Sequence, residues 1–202
     1  MPRDAGPIGI FGGTFDPPHI GHLLAAEYAR EQLGLREVRF LPAGYPYRKA
    51  GRRVSPPHHR AAMTELALAG HPAFVLDRRE LEREGPTYTV DTLEELLREG
   101  YRDLVLLFGS DAVADMPNWK EPVRLFELAR VAVFPKGCEP VPHAFEGRPL
   151  ILVEMPRLEI SSTLIRARVA AGRTIRHLVP DAVAAYIEAH GLYRPEGSVG
   201  GV

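Results

Sequence analysis

The stretch IGIFGGTFDPPHIGHLLAAEYAREQLG, residues 8–34, passes from an apolar segment through two glycines, a threonine, an aspartate, two prolines and two histidines into an amphipathic segment. Ile8 to Phe11 reads as a short buried strand. Leu23, Ala26, Tyr28, Ala29 and Leu33 share one face of a helix that opens near Ile20 and stops at Gly34, a natural C-cap position. The residues between strand and helix decide the reading. A tight turn, a metal site and a phosphate cradle would each use such a set.

The same alternation recurs along the chain. Apolar, β-rich runs fall at Glu37 to Pro42, Ala73 to Asp77, Asp103 to Gly109, Val131 to Pro135 and Leu150 to Glu154. Helical periodicity falls between or after them, at Pro56 to Ala69, Val90 to Arg98, Trp119 to Ala129, Ser161 to Ala170 and Asp181 to His190. Strands apolar on both faces that alternate with helices require a mostly parallel sheet with right-handed crossovers and helices on both sides. The expected fold is therefore α/β, doubly wound and Rossmann-like. Residues 1–194 are expected to form a single domain and 195–202 a disordered tail, with FPKGCEPVPHAFEGRP, residues 134–149, as a long surface loop.

Composition narrows the function. A chain of 202 residues, 45% hydrophobic, builds a sizeable core, and a formal net charge of −1 gives no basis for a nucleic-acid or membrane partner. Any anion site must be local. Cys138 is the only cysteine, which excludes an intramolecular disulfide and a multi-cysteine zinc site. The N-terminal residues lack the pattern of a signal peptide and no run is long enough to span a membrane, so the expected location is the cytoplasm.

In a doubly wound sheet, ligands sit beyond the carboxyl ends of the strands where strand order reverses, and the first glycine loop occupies such a place. Gly12 and Gly13 permit close backbone approach and positive φ, and the helix start offers free N–H groups to an anion. The Walker pattern and G-x-G-x-x-G are both absent. His19 and His22, three apart, point to one side of the first helical turn, where imidazoles serve as phosphate donors, metal ligands or packed core residues. Asp16 is either a plain turn residue or an acceptor of backbone N–H bonds. Ser161, Ser162 and Thr163 open a later helix with Arg166 one turn in, which is more than capping requires. His58 and His59, adjacent at a helix start, are expected to face different ways, and His71, His143, His177 and His190 have no partner motif.

Taken together, GGTFDPPHIGH and ISSTLIR resemble the nucleotidyltransferase superfamily with an H-x-G-H signature. PTYTVDTLEELL, FGSDAV with a Trp soon after it, and VPDAVAAYIEAHGLY extend the resemblance from Ile8 to Tyr193, specifically to bacterial nicotinate-nucleotide adenylyltransferases. The resemblance implies an enzyme that joins ATP to nicotinate mononucleotide, giving nicotinate adenine dinucleotide and pyrophosphate for NAD biosynthesis, with Mg2+ held mainly by the substrate phosphates. It implies that His19, His22 and Thr14 contact the ATP phosphates, that Ser162, Thr163 and Arg166 hold the β/γ end, and that Gly12, Gly13 and Phe15 follow the nucleotide. Gly109 and Asp111 would border the adenosine, Thr87 and Tyr88 would meet the pyridine carboxylate, and Trp119 would stack on the ring.

Two positions depart from the family pattern. Tyr47 and Arg48 stand where a Pro-His-Lys-like stretch is common, with Arg48 as the base for the mononucleotide phosphate, and Lys136 stands where an Arg is usual. The same chemistry on nicotinamide mononucleotide or phosphopantetheine, and a nucleotide sensor without turnover, are the competing readings. The oligomeric state stays open.

Overall fold

The computed structural model describes residues 6–44, 54–136 and 141–195. Its centre is a six-stranded sheet built from β1 (Ile8–Gly13), β2 (Glu37–Pro42), β3 (Phe74–Leu76), β4 (Leu104–Gly109), β5 (Arg130–Phe134) and an edge strand, β8 (Ile151–Leu152). Strand order is β3-β2-β1-β4-β5-β8, and every pairing in this sheet is parallel. This is the doubly wound order expected from the sequence, with its reversal between β1 and β4.

The strands split their side chains between two cores with period two. Ile8, Ile10, Leu104, Leu106, Phe108, Val131 and Val133 face one core, while Phe11, Val105, Leu107, Ala132 and Phe134 face the other. On the second face, α1 (Ile20–Leu33) packs closely because it presents Ala25, Ala26 and Ala29. Gly34 ends this helix with φ 63°, as a C-cap glycine does. On the first face, α4 (Thr89–Arg98) buries Val90, Leu93 and Leu96 at helical spacing. A third cluster joins α2 (Pro57–Leu68), α7 (Ser162–Ala170) and α8 (Asp181–Ala189) through Met63, Ile165, Val183 and Ile187. Among the described residues, no helix is long and apolar enough to cross a membrane.

Two expectations are corrected. Trp119 to Ala129 is not one helix: a 3-10 turn at Met116–Asn118 precedes it, and only α6 (Leu125–Leu128) is helical within it. Pro122 lacks an N–H and its ring crowds the preceding turn, and Glu121 beside it takes φ 48°. The stretch expected as a surface loop contains an antiparallel hairpin, β6 (Ala144–Phe145) with β7 (Arg148–Pro149). Its two turn residues, Glu146 and Gly147, both have positive φ, as tight hairpins of this kind require. Phe145 is buried and stacks on Phe126, so this segment contributes to the core. Cys138, Tyr47, Arg48 and the tail from residue 196 lie outside the described residues. Two short helices, α3 (Arg79–Glu82) and α5 (Ser110–Val113), carry no clear periodic signal in sequence.

Candidate active site

The reversal between β1 and β4 opens two adjoining clefts at the carboxyl ends of the strands. The first, of about 290 Å³, is lined by Gly12, Gly13, Thr14, Phe15, His19 and His22 from the first loop. Gly109 and Asp111 from the end of β4, and Ser162, Thr163 and Arg166 from α7, complete it. Segments far apart in sequence thus converge on one cavity, as the two separated motifs anticipated. The second cleft, of about 340 Å³, is lined by Thr87, Tyr88 and Trp119. Gly12, Gly13 and Thr14 border both.

Gly12 is exposed, and a Cβ there would meet nothing within 4 Å, so its bare face is available to a ligand. The expected positive φ is not found at Gly12 or Gly13, which continue β1 as extended strand. Phe15 takes it instead, at φ 48°, an unfavourable backbone for an aromatic residue. Its ring sits over Gly13, where a Cβ would come within 2.9 Å of it, and it packs on Phe11 and His22. Phe15 is 2% exposed, and the little of it that is accessible lines the first cleft.

His19 and His22 point the same way, their rings stacked with centroids 3.7 Å apart. The His19 N–H donates to His22 Nδ1 at 3.2 Å. An accepting Nδ1 fixes the neutral His22 ring with its proton on Nε2, a donor. Burial first, and then the positive Lys136, lower the His19 pKa to about 4. His19 is therefore neutral at pH 7, and its buried Nδ1 has no hydrogen-bond partner among the described residues. The helix start is less open than expected, because the Ile20 N–H already donates to the Leu178 carbonyl.

The hydroxyls of the second motif divide their work. Ser161 caps α7 by accepting from the Leu164 N–H, while the Ser162 hydroxyl donates to the Pro17 carbonyl at 2.8 Å. Arg166 spans the two motifs: Nη1 donates to the Asp16 carbonyl at 2.7 Å and Nη2 to Thr163 Oγ1 at 3.3 Å. Opposite them, Lys136 pairs with Asp111 at 2.8 Å, both side chains being about half exposed. Gly109 lies under this pair, where a Cβ would come within 2.7 Å of Asp111 Oδ1.

The second cleft has another character. Trp119 packs edge-on against Phe108 with centroids 5.5 Å apart, and Lys120 Nζ lies 5.0 Å from the Tyr88 ring centroid. Thr87 is buried, and beneath it Thr92 donates to Glu80 at 2.9 Å. Burial raises the Glu80 pKa, opposed by the Thr92 hydrogen bond. The first cleft offers cationic and hydroxyl donors, the second an aromatic slot.

Comparison with known proteins shows the family. A profile of the cytidylyltransferase-like family matches residues 10–168. A protein of Roseiflexus sp. (strain RS-1), named probable nicotinate-nucleotide adenylyltransferase, is 50% identical over 195 residues, 93% of this chain and 98% of its own. One of the same name from Thermomicrobium roseum is 49% identical, over 93% of this chain and 91% of its own. The chain belongs to the nicotinate-nucleotide adenylyltransferase family. The fold is also that of the Plasmodium falciparum nicotinic acid mononucleotide adenylyltransferase complexed with NaAD, with TM-score 0.76 and 20% identity over 94% of this chain and 98% of that one.

In this nicotinate-nucleotide adenylyltransferase, two residues that hold the Thr14–Asp16 loop in place lie outside the recognisable motifs. Arg60 is 1% exposed and its guanidinium reaches four backbone carbonyls, including that of Thr14. Tyr193 donates to Asp16 Oδ1 at 2.7 Å, and the Ser55 N–H donates to Oδ2, so Asp16 accepts a backbone N–H as one of its two readings expected. One signal for Arg60 was legible: it shares a buried face of α2 with Met63, Thr64 and Ala67, where periodicity calls for an apolar residue.

One expectation about the remaining histidines is corrected. His58 and His59 do not diverge: their rings lie 4.2 Å apart, and His59 Nδ1 is 2.9 Å from the Tyr186 hydroxyl. His190 stacks on Tyr186, and His71 pairs with Glu27 at 3.0 Å while stacking on Phe74. These contacts tie helices and strands together away from both clefts. Among the described residues, no group of three or more His, Cys, Asp or Glu is placed to hold a metal ion. Asp16 is occupied by Tyr193 and Ser55, and Asp111 by Lys136.

Proposed function

We propose that the two clefts hold the two halves of one reaction, with ATP in the first, nicotinate mononucleotide in the second, and adenylyl transfer at the Gly12–Thr14 seam. The observation that carries this reading is the seam itself: one exposed glycine loop borders a donor-rich cleft and an aromatic one. A 5′-phosphate oxygen of the mononucleotide attacks the α-phosphorus of ATP. The new P–O bond forms as the bond from the α-phosphorus to the α–β bridging oxygen breaks, and pyrophosphate leaves with the electron pair. No protein nucleophile is required, so catalysis consists of positioning and charge stabilisation.

Each group in the first cleft suits a part of that work. The neutral Nε2–H tautomer of His22 donates to phosphoryl oxygen as charge develops, and neutral His19 stacks behind it to hold its ring. Thr14 contacts the ATP phosphates beside the histidines, while Ser162, Thr163 and Arg166 hold the β/γ end, with Arg166 also bracing the loop through Asp16. Lys136 adds a positive charge where a guanidinium fork is usual in the family, and Gly109 and Asp111 border the adenosine. Mg2+ bound to the triphosphate would neutralise its charge. The reaction is proposed to run in the cytoplasm, where ATP is supplied.

In the second cleft, Trp119 gives the pyridine ring a stacking face, and the Thr87 and Tyr88 segment at the start of α4 meets its carboxylate. A carboxylate only accepts hydrogen bonds, so hydroxyl and N–H donors favour the acid over the amide. The mononucleotide phosphate is assigned to Arg48, which lies outside the described residues. Pyrophosphate release with ATP and Mg2+, measured separately with nicotinate mononucleotide, nicotinamide mononucleotide and phosphopantetheine, tests the proposal. Strong preference for the nicotinate compound is expected. Preference for another acceptor would overturn the roles given to Thr87, Tyr88 and Trp119, and ATP binding without turnover would overturn catalysis.

A further inference from the structure

A guanidinium buried to 1% exposure sits behind the phosphate loop, and its contacts run to three separate stretches of backbone. Arg60 Nη1 donates to the carbonyls of Thr14 at 3.1 Å and Ala43 at 2.6 Å, Nη2 to Gly44 at 3.0 Å, and Nε to Ser55 at 3.0 Å. These carbonyls follow β1, follow β2 and precede α2. The convergence demands a planar fork: a lysine ammonium, a compact charge with three donors, cannot reach four carbonyls so arranged. Gly44 shows how tightly the array is built, since a Cβ there would lie 1.9 Å from the Glu80 carbonyl oxygen.

A buried charge is costly unless it is fully bonded and opposed by another charge. Burial lowers the Arg60 pKa, and the negative charge of the Asp16 carboxylate opposes that effect. Asp16 in turn accepts from Tyr193 and from the Ser55 N–H. Burial and that carboxylate together raise the Tyr193 pKa well above the ordinary phenol range, which keeps its hydroxyl a donor. The loop from Thr14 to Asp16 contains the unfavourable backbone of Phe15, and such a conformation persists only where its surroundings over-determine it.

We infer that Arg60 is a positioning residue for adenylyl transfer, fixing the Thr14–Asp16 backbone from behind while Tyr193 secures the Asp16 carboxylate. It does not touch substrate; it sets the shape of the loop that does. The inference rests on the ATP reading of the first cleft, and its test is separable from that reading. Arg60→Lys and Tyr193→Phe are compared with wild type for equilibrium ATP binding and for kcat. Far-UV circular dichroism and the melting midpoint are recorded on the same samples.

Folded Arg60→Lys is expected to bind ATP about tenfold more weakly and to lose about 10- to 100-fold in kcat, as misplacement of a loop by a fraction of an ångström would do. Tyr193→Phe, which deletes one hydroxyl, is expected to shift both in the same direction by a smaller factor. It decides the question alone if Arg60→Lys does not fold. Wild-type ATP affinity and kcat in the folded variants, with only a lowered melting midpoint, would overturn the inference by showing a purely structural role. Weaker ATP binding in the variants of a wild type that binds ATP but does not turn over would uphold the clamp while overturning the transferase reading.

Discussion

The two clefts share a glycine loop yet are made in different ways. The first is assembled from long-range hydrogen bonds: Arg166 to the Asp16 carbonyl, Ser162 to the Pro17 carbonyl and Tyr193 to the Asp16 carboxylate join segments about 145 to 177 residues apart. The second is an aromatic slot shaped by packing, with Trp119 against Phe108 and Thr87 at the foot of α4. On the proposed reading, phosphate chemistry needs donors fixed in advance, which a cleft braced from behind provides. Recognition of a flat ring needs a face and a few polar contacts, which local packing supplies. The contrast predicts large, kinetic effects from the first cleft and smaller, affinity-type effects from the second.

The largest effect is expected from His22→Ala. Loss of a pre-placed donor at developing charge lowers kcat by about 10²- to 10³-fold, whereas the fold, judged by circular dichroism, persists because His22 lies partly exposed at the helix start. Near wild-type turnover in the folded variant would remove His22 from the chemistry.

Next comes an effect on stability that the first cleft alone should show. His19 has its pKa lowered from 6.5 to about 4 by burial and Lys136. Between those values the unfolded chain binds a proton that the folded chain refuses, so stability rises with pH through this window. The contribution is complete above pH 6.5 and lost as pH falls to about 4. It amounts to about 3 to 4 kcal/mol at most, from about 1.4 kcal/mol per pH unit over that interval. Denaturant titrations of wild type and His19→Asn across the window should differ in slope by this contribution, and parallel curves would contradict it.

Gly12→Ala probes the seam. The new methyl would meet no protein atom within 4 Å, so the melting midpoint should match wild type. If both substrates approach this face, the methyl displaces them and kcat falls by about 100-fold. An active Gly12→Ala would move the reacting phosphates elsewhere. Trp119→Ala is expected to have the smallest effect of the four: KM for nicotinate mononucleotide rises about tenfold, the size of a lost stacking contact, with KM for ATP unchanged. Equal rises in both would erase the distinction between the clefts.

The same contrast explains what could be read in advance. The sheet was legible because strands buried on both faces announce themselves, and β2 matches its expected limits at Glu37 and Pro42. The lining of the first cleft was legible because Gly, His, Ser, Thr and Arg in two short motifs advertise anion chemistry. What braces that lining was legible only in Arg60 taking an apolar position on α2. Arg60 binds carbonyls that every residue possesses, so the identity of its neighbours does not mark its role, and Tyr193 lies far along the chain from Asp16. Positive φ was expected at the glycines and falls on Phe15, because packing against Phe11 and His22 overrides the local preference. The helix expected from Trp119 to Ala129 failed at Pro122, a breaker outweighed by apolar spacing in the reading of that segment.

The claim that two clefts serve one reaction is tested most directly by the product. Nicotinate adenine dinucleotide should occupy both clefts at once and displace ATP and nicotinate mononucleotide alike when each is bound alone and followed by equilibrium titration. Displacement of only one of them would contradict the shared seam at Gly12–Thr14 and the mechanism built on it.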